Sequence, residues 1–170
     1  MLNFIRIILS PLTFIYAFII RTRNFLFDKG FFKISKVNAF VISVGNLTVG
    51  GSGKTPAVIF LAELLKKHNK QIGILSRGYG RNSFGYLYVS NGEKIFTTVD
   101  ECGDEMYLVS DELKVPTAVS ERRVVGAKRL ISNSGVKFIL LDDAFQHRWI
   151  HRDLDIVMID QRFLIKTNSM

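Results

Sequence analysis

From residue 2 to residue 20 the chain is apolar, interrupted only by Asn3, Arg6, Ser10, Pro11 and Thr13. The uncharged run 7–20 is 14 residues long, whereas spanning a bilayer takes about 20. Three readings fit. One is a membrane anchor or interfacial helix with Arg6 snorkelling to the headgroups. A second is a helix buried in the fold. The third is a signal peptide, although no A-x-A cleavage site follows. The first is the expectation, with residues 1–23 as the anchor, 24–38 as a basic connector and 39–170 as the core. The core alternates between two patterns. Short β-rich apolar runs at 39–45, 71–76, 136–143 and 154–160, with a shorter one at 116–120, read as strands. Runs at 55–68 and 121–133 place apolar residues three and four apart, as helices do. Residues 85–98 read as a β-hairpin turned at Asn91-Gly92. The acidic stretch starting at Asp100 reads as a loop that becomes a helix. Strands alternating with helices imply an α/β fold with a mostly parallel sheet and flanking helices.

Composition sharpens this picture at the N-terminus. The chain has 170 residues and a net charge of +8. In the first 40 residues Arg6, Arg21, Arg23, Lys29, Lys33 and Lys36 face Asp28 alone. A basic region beside an apolar one suits an anionic membrane surface. By the positive-inside tendency it places the core in the cytoplasm. No run of basic and aromatic residues forms a base-stacking platform, so nucleic acid is not an expected partner, and no obligate protein partner is expected. The single cysteine, Cys102, excludes an intrachain disulfide and a Cys-based zinc site. It reads as an ordinary part-buried thiol.

The chemistry concentrates between the first strand and the helix after it, in "TVGGSGKTP". The phosphate-loop pattern G-x-x-x-x-G-K-[ST] would put its first glycine at position 48, where this chain has Thr48. The remaining requirements are met. Gly50, Gly51 and Gly53 let backbone N–H groups approach phosphate oxygens, and Val49 and Ser52 complete the loop. Lys54 brings a point charge to the β- and γ-phosphates, and the Thr55 hydroxyl suits Mg²⁺. The related loop with an extra lysine before Gly-Gly is disfavoured by Val49. The expected bound groups are ATP and Mg²⁺.

A phosphate loop needs a strand-end carboxylate for the metal, and "FILLDD" offers Asp142 or Asp143. In "DDAFQH", Gln146 and His147 are within reach of the same pocket. His147 and His151 are four apart but lack a third ligand, so they read as surface or supporting histidines. Asp104, after Gly103 at a loop-to-helix junction, reads equally as a catalytic base and as a helix N-cap with Glu105 favourable beside it. Arg77 and Arg81, in "SRGYGR", are candidates for a phosphorylated substrate.

Taken together, "SVGNLTVGGSGKTP", "LSRGYGR", "GDEM", "ERR" and "LDDAFQHRWIHRDLDIVMID" resemble the tetraacyldisaccharide 4'-kinase (lipid A 4'-kinase) family of Gram-negative bacteria. The family's loop also carries Thr at the position of Thr48. The resemblance implies a P-loop NTPase core on the cytoplasmic face of the bacterial inner membrane. It also implies phosphoryl transfer from ATP to the 4'-hydroxyl of a lipid disaccharide 1-phosphate, giving lipid IVA. Carried over, Lys54 and Thr55 hold nucleotide and Mg²⁺, Asp142 and Asp143 lie near the metal, and Asp104 is the base. Met106 and Ala144 stand where the family usually has proline and glycine, and Ala144 would strain the backbone if that site needs a positive φ. Family members continue into a second lobe that supplies a histidine to the base. The chain is therefore expected to be the N-terminal portion, either a fragment or a truncated product. The alternative is a membrane-attached P-loop ATPase that switches a protein partner.

Overall fold

The computed structural model describes residues 2–46 and 53–159, with 2–12 described by backbone alone. The chain divides into two compact units, Met1–Ile34 and Ser35–Met170. The first unit is one helix, α1 (Leu2–Asp28). It runs past residue 23 into the stretch read as a connector and ends in a turn where Lys29 N–H donates to Phe25 O. Phe14, Ile15, Tyr16, Phe18 and Ile19 are all exposed. At 3.6 residues per turn these five positions spread over roughly 200° of the helix circumference, so they form a broad exposed apolar face. No helix among the described residues is long and apolar enough to cross a membrane, so the spanning form of the anchor expectation is not supported.

The second unit is a six-stranded sheet of β1 (Phe40–Asn46), β2 (Ile72–Ser76), β3 (Leu87–Asn91), β4 (Pro116–Val119), β5 (Phe138–Asp142) and β6 (Leu154–Met158), in the order β3-β4-β2-β5-β1-β6. All neighbours are parallel except β3 and β4. Its helices are α2 (Lys54–Lys67), α3 (Val99–Cys102), α4 (Asp104–Leu113) and α5 (Arg123–Ser134). The strands bury both faces, which is why β2 is buried at every position and reads as a continuous apolar run. Ile42, Ile74 and Leu140 pack with Val58 and Ala62 of α2 and with Val109 and Leu113 of α4. Their strand neighbours Val41, Leu75, Ile139 and Leu141 pack on the other face with Ala127 and Leu130 of α5. This alternation sets the register. Val44 lies opposite Asp142, and Asn46 lies opposite Met158, so the carboxyl ends of β1 and β5 finish side by side.

Two local expectations change. The hairpin keeps its turn, where Asn91 Oδ1 accepts from the N–H groups of Glu93 and Lys94. Its second arm is only a bridge between Ser90 and Ile95, and β3 pairs instead with β4. The arm stops because Thr98 opens a helix. Its N–H donates to Glu101 Oε2 at 2.8 Å and its hydroxyl meets the same oxygen at 3.0 Å, a capping-box pairing. The acidic loop is accordingly the single turn α3, which buries Cys102.

Candidate active site

The site lies along the carboxyl ends of β1, β2, β4 and β5, where parallel sheets collect ligands. Thr48, Val49, Gly50, Gly51 and Ser52 fall outside the described residues. Gly53 caps α2 at φ 73°, a left-handed turn that glycine adopts without strain. It delivers Lys54 and Thr55 into the first helical turn. There the Lys54 ammonium donates to Asp143 Oδ1 at 2.8 Å and to Asn46 Oδ1 at 3.3 Å. The lysine of the loop and the second aspartate of the strand end, 89 residues apart, are therefore in direct contact.

Asp142 is buried where Asp143 is exposed. The Ser76 hydroxyl donates to Asp142 Oδ2 at 3.3 Å, while Oδ1 is buried without a hydrogen-bond partner. Burial, then the nearby carboxylates of Glu105 and Asp143, push Asp142 above the usual carboxylate range, and Lys54 and Ser76 oppose the rise. An orphaned buried carboxylate oxygen with two further carboxylates close by is an arrangement a cation relieves. No cluster of three or more His, Cys, Asp or Glu suited to a metal occurs among the described residues. Mg²⁺ fits such a sparse set because it keeps several waters and takes phosphate oxygens as ligands. The pair His147–His151 forms no ligand set: His151 Nε2 sits 3.5 Å from Asp153, while His147 lines a separate cavity.

Asp104 is the first residue of α4, and Gly103, at φ 88°, is its cap. The capping alternative is therefore not realised by the Asp104 side chain, whose Oδ1 accepts the N–H of Glu105 at 3.0 Å. A Cβ on Gly103 would lie 2.7 Å from Tyr79 O, so the glycine lets the "RGYG" loop pack directly under the start of α4. Asp104 and Glu105 are exposed on the wall of a cavity of about 450 Å³.

The two loop arginines part ways. Arg77 is exposed. Arg81 turns inward: its side chain is 3% exposed and is ion-paired with Glu121, and it also donates to Gly85 O at 2.7 Å and Ser83 Oγ at 3.2 Å. It clamps the loop, and only Arg77 is left facing solvent for an acceptor. Gln146 is exposed. His147 lines a cavity of about 520 Å³ with Arg122, Arg123 and Trp149. Ala144 does not have a positive φ. Asp143 does, at 49°, while Ala144 is fully buried. Any strain at this turn therefore sits one residue earlier than expected. Met106 is buried in α4 against the α2 side of the core.

Sequence reasoning missed Asn46, Ser76 and Arg123. Asn46 and Ser76 each end a strand, and that position was the available signal. Arg123 lies in the "ERR" motif at the start of the helical run 121–133, where nothing in the spacing gives it a role of its own. In the structure it is 3% exposed. Burial lowers its guanidinium to about 10, against the pull of Asp142.

Comparison with known proteins fits this geometry. A family model described as Tetraacyldisaccharide-1-P 4'-kinase matches residues 5–169. The Tetraacyldisaccharide 4'-kinase of Aquifex aeolicus (strain VF5) is 46% identical over 157 residues, covering 92% of this chain and 49% of the relative. That of Shewanella halifaxensis is 40% identical over 156 residues, covering 92% and 46%. A crystal structure described as the "apo" form of LpxK from Aquifex aeolicus in complex with ATP superposes with a TM-score of 0.87 at 46% identity. It covers 95% of this chain and 51% of that one. The chain thus spans about half the length of the curated relatives it matches.

Proposed function

The chain belongs to the tetraacyldisaccharide-1-P 4'-kinase family, and from that premise we propose that it is the nucleotide-binding portion of an enzyme that phosphorylates the 4'-hydroxyl of a tetraacyldisaccharide 1-phosphate. The observation that carries this reading is the contact of Lys54 with Asp143 and Asn46. It brings the loop cation to the strand-end carboxylates, as phosphoryl transfer requires.

In this reading Lys54 leaves Asp143 to place its charge on the β- and γ-phosphates of ATP. Thr55, Asp142 and Asp143 would hold Mg²⁺, with Asp142 Oδ1 the buried oxygen that lacks another partner. Bound there, Mg²⁺ would supply charge neutralisation at the transferring phosphoryl oxygens. Asp104 accepts the proton of the 4'-hydroxyl as its oxygen attacks the γ-phosphorus. The bond to the bridging oxygen breaks and ADP leaves. Arg77, Glu105 and Gln146 are the acceptor-side candidates, His147 lines a neighbouring cavity, and Arg81 supports the loop from within. Residues 48–52 complete the phosphate cradle. Residues 1–23 form an interfacial anchor and 24–38 its basic connector, with 39–170 as the kinase core on the cytoplasmic face of the inner membrane. The exposed apolar residues of α1 and the cations after it support that placement.

The test is an assay with [γ-³²P]ATP and the lipid acceptor, run beside ATP titration. Label on the disaccharide supports the kinase. ATP hydrolysis that needs a protein partner and leaves the lipid unlabelled supports the ATPase switch instead.

A further inference from the structure

A buried arginine sits beneath the aspartate pair, and the proposed chemistry does not use it. The first turn of α5 approaches the strand ends closely, because a Cβ on Gly126 would lie 2.8 Å from Ser120 Cβ and 2.9 Å from Leu75 Cδ1. That approach tucks Arg123, the first residue of α5, under the sheet edge. Its guanidinium donates to Ser120 O at 2.5 Å and to Asp142 O at 3.3 Å. The first carbonyl follows β4 and the second ends β5. The loop after β4 is further tied to β2 by Ser120 N–H donating to Ser76 O at 3.0 Å, and Ser76 in turn holds Asp142 Oδ2. One planar fork thus straps together the two chain segments that flank β2, and it grips the backbone of the residue whose Oδ1 is left open. A lysine has no fork to hold two carbonyls at once.

Building on the kinase reading above, we infer that Arg123 is a positioning residue for Mg²⁺: it fixes the Asp142 main chain so that Oδ1 stays turned toward the cation, without touching metal or nucleotide itself. Residues that orient a metal ligand typically change metal affinity by about 10- to 100-fold when removed. A purely structural residue would lower stability and all binding together.

The experiment measures ATP affinity by calorimetry across a Mg²⁺ series and in excess EDTA, with thermal denaturation in parallel. Arg123→Met keeps the apolar stem and leaves no buried charge. It is expected to raise the half-saturating Mg²⁺ about tenfold while ATP affinity in EDTA stays within about twofold. Arg123→Lys is expected to recover part of the loss. A folded Arg123→Met protein with unchanged Mg²⁺ dependence would overturn the inference, as would a parallel loss of ATP affinity in EDTA. If Arg123→Met does not fold, Arg123→Lys decides: an unchanged Mg²⁺ midpoint overturns the role and a raised one supports it. Wild-type protein that binds no ATP would sink the kinase reading, and the inference with it. A wild type that binds Mg²⁺–ATP normally beside indifferent variants would sink the inference alone.

Discussion

The Lys54 ammonium and the Asp143 carboxylate lie 2.8 Å apart at the carboxyl edge of the sheet, with Lys54 one-quarter and Asp143 over half exposed. A pair this open to water contributes under about 1 kcal/mol to stability. Its value therefore lies in what each partner does once separated.

Lys54→Met is accordingly expected to leave the melting temperature within a few degrees and to weaken ATP binding by roughly tenfold or more, through loss of a charge-assisted contact. Calorimetric titration checks this. Unchanged affinity would count against the phosphate-loop assignment.

Asp104→Ala should lower lipid phosphorylation by about 10²- to 10⁴-fold, the usual contribution of a general base. ATP affinity should hold, because no step of nucleotide binding is assigned to this carboxylate. Near-normal turnover in the acceptor assay would remove Asp104 from the mechanism.

Gly103→Ala meets two obstacles, a backbone at φ 88° and Tyr79 O at 2.7 Å. A loss of roughly 1–3 kcal/mol is expected, read as a lower urea midpoint. The same substitution should reduce turnover more than ATP affinity, since it separates Asp104 from the loop beneath it.

Glu121 gives a pH signature. Burial favours its neutral form, but hydrogen bonds from backbone N–H groups and from Arg81, with the Arg81 charge, outweigh it and hold the carboxyl below its usual value. A carboxyl depressed in the folded state stabilises above its unfolded value, and that contribution is lost as pH falls through the folded one. Glu121→Gln should therefore be less stable than wild type at neutral pH, with the difference closing in acid. A gap that persists below both values would mean that packing, and not charge, is at stake.

For the N-terminal unit, replacing Arg21, Arg23, Lys29 and Lys33 with glutamine should cut partitioning onto anionic vesicles by at least about tenfold, given roughly 1 kcal/mol per cation. Binding to neutral vesicles should change little. Unchanged binding to anionic vesicles would mean that the apolar face alone holds the helix to the bilayer.

Much of this architecture was legible because its strands are buried on both faces. Phe40–Asn46, Ile72–Ser76 and Phe138–Asp142 announce themselves as apolar runs, and α2 follows from its spacing. The second hairpin arm does not form because the capping pair Thr98 and Glu101 claims the chain first, a signal that the sequence carries as a Thr-x-x-Glu spacing. Arg81 was harder. Its partner Glu121 is 40 residues away, and nothing local distinguishes a clamping arginine from a substrate-binding one. Arg123 posed the same problem, since a buried guanidinium is defined by the carbonyls around it and carbonyls leave no mark on composition.

The turn at Asp143 bears on how such a chain would drift. Its φ of 49° is a conformation that glycine holds at lower energy, by about 1 kcal/mol. Mutation toward a more stable protein therefore runs directly through loss of this carboxylate. A lineage that still transfers phosphate must resist that slope in every generation, and one released from the task has nothing to hold it there. Position 143 can thus serve as a gauge of selection, with Asp143→Gly among the first changes expected once catalysis no longer matters.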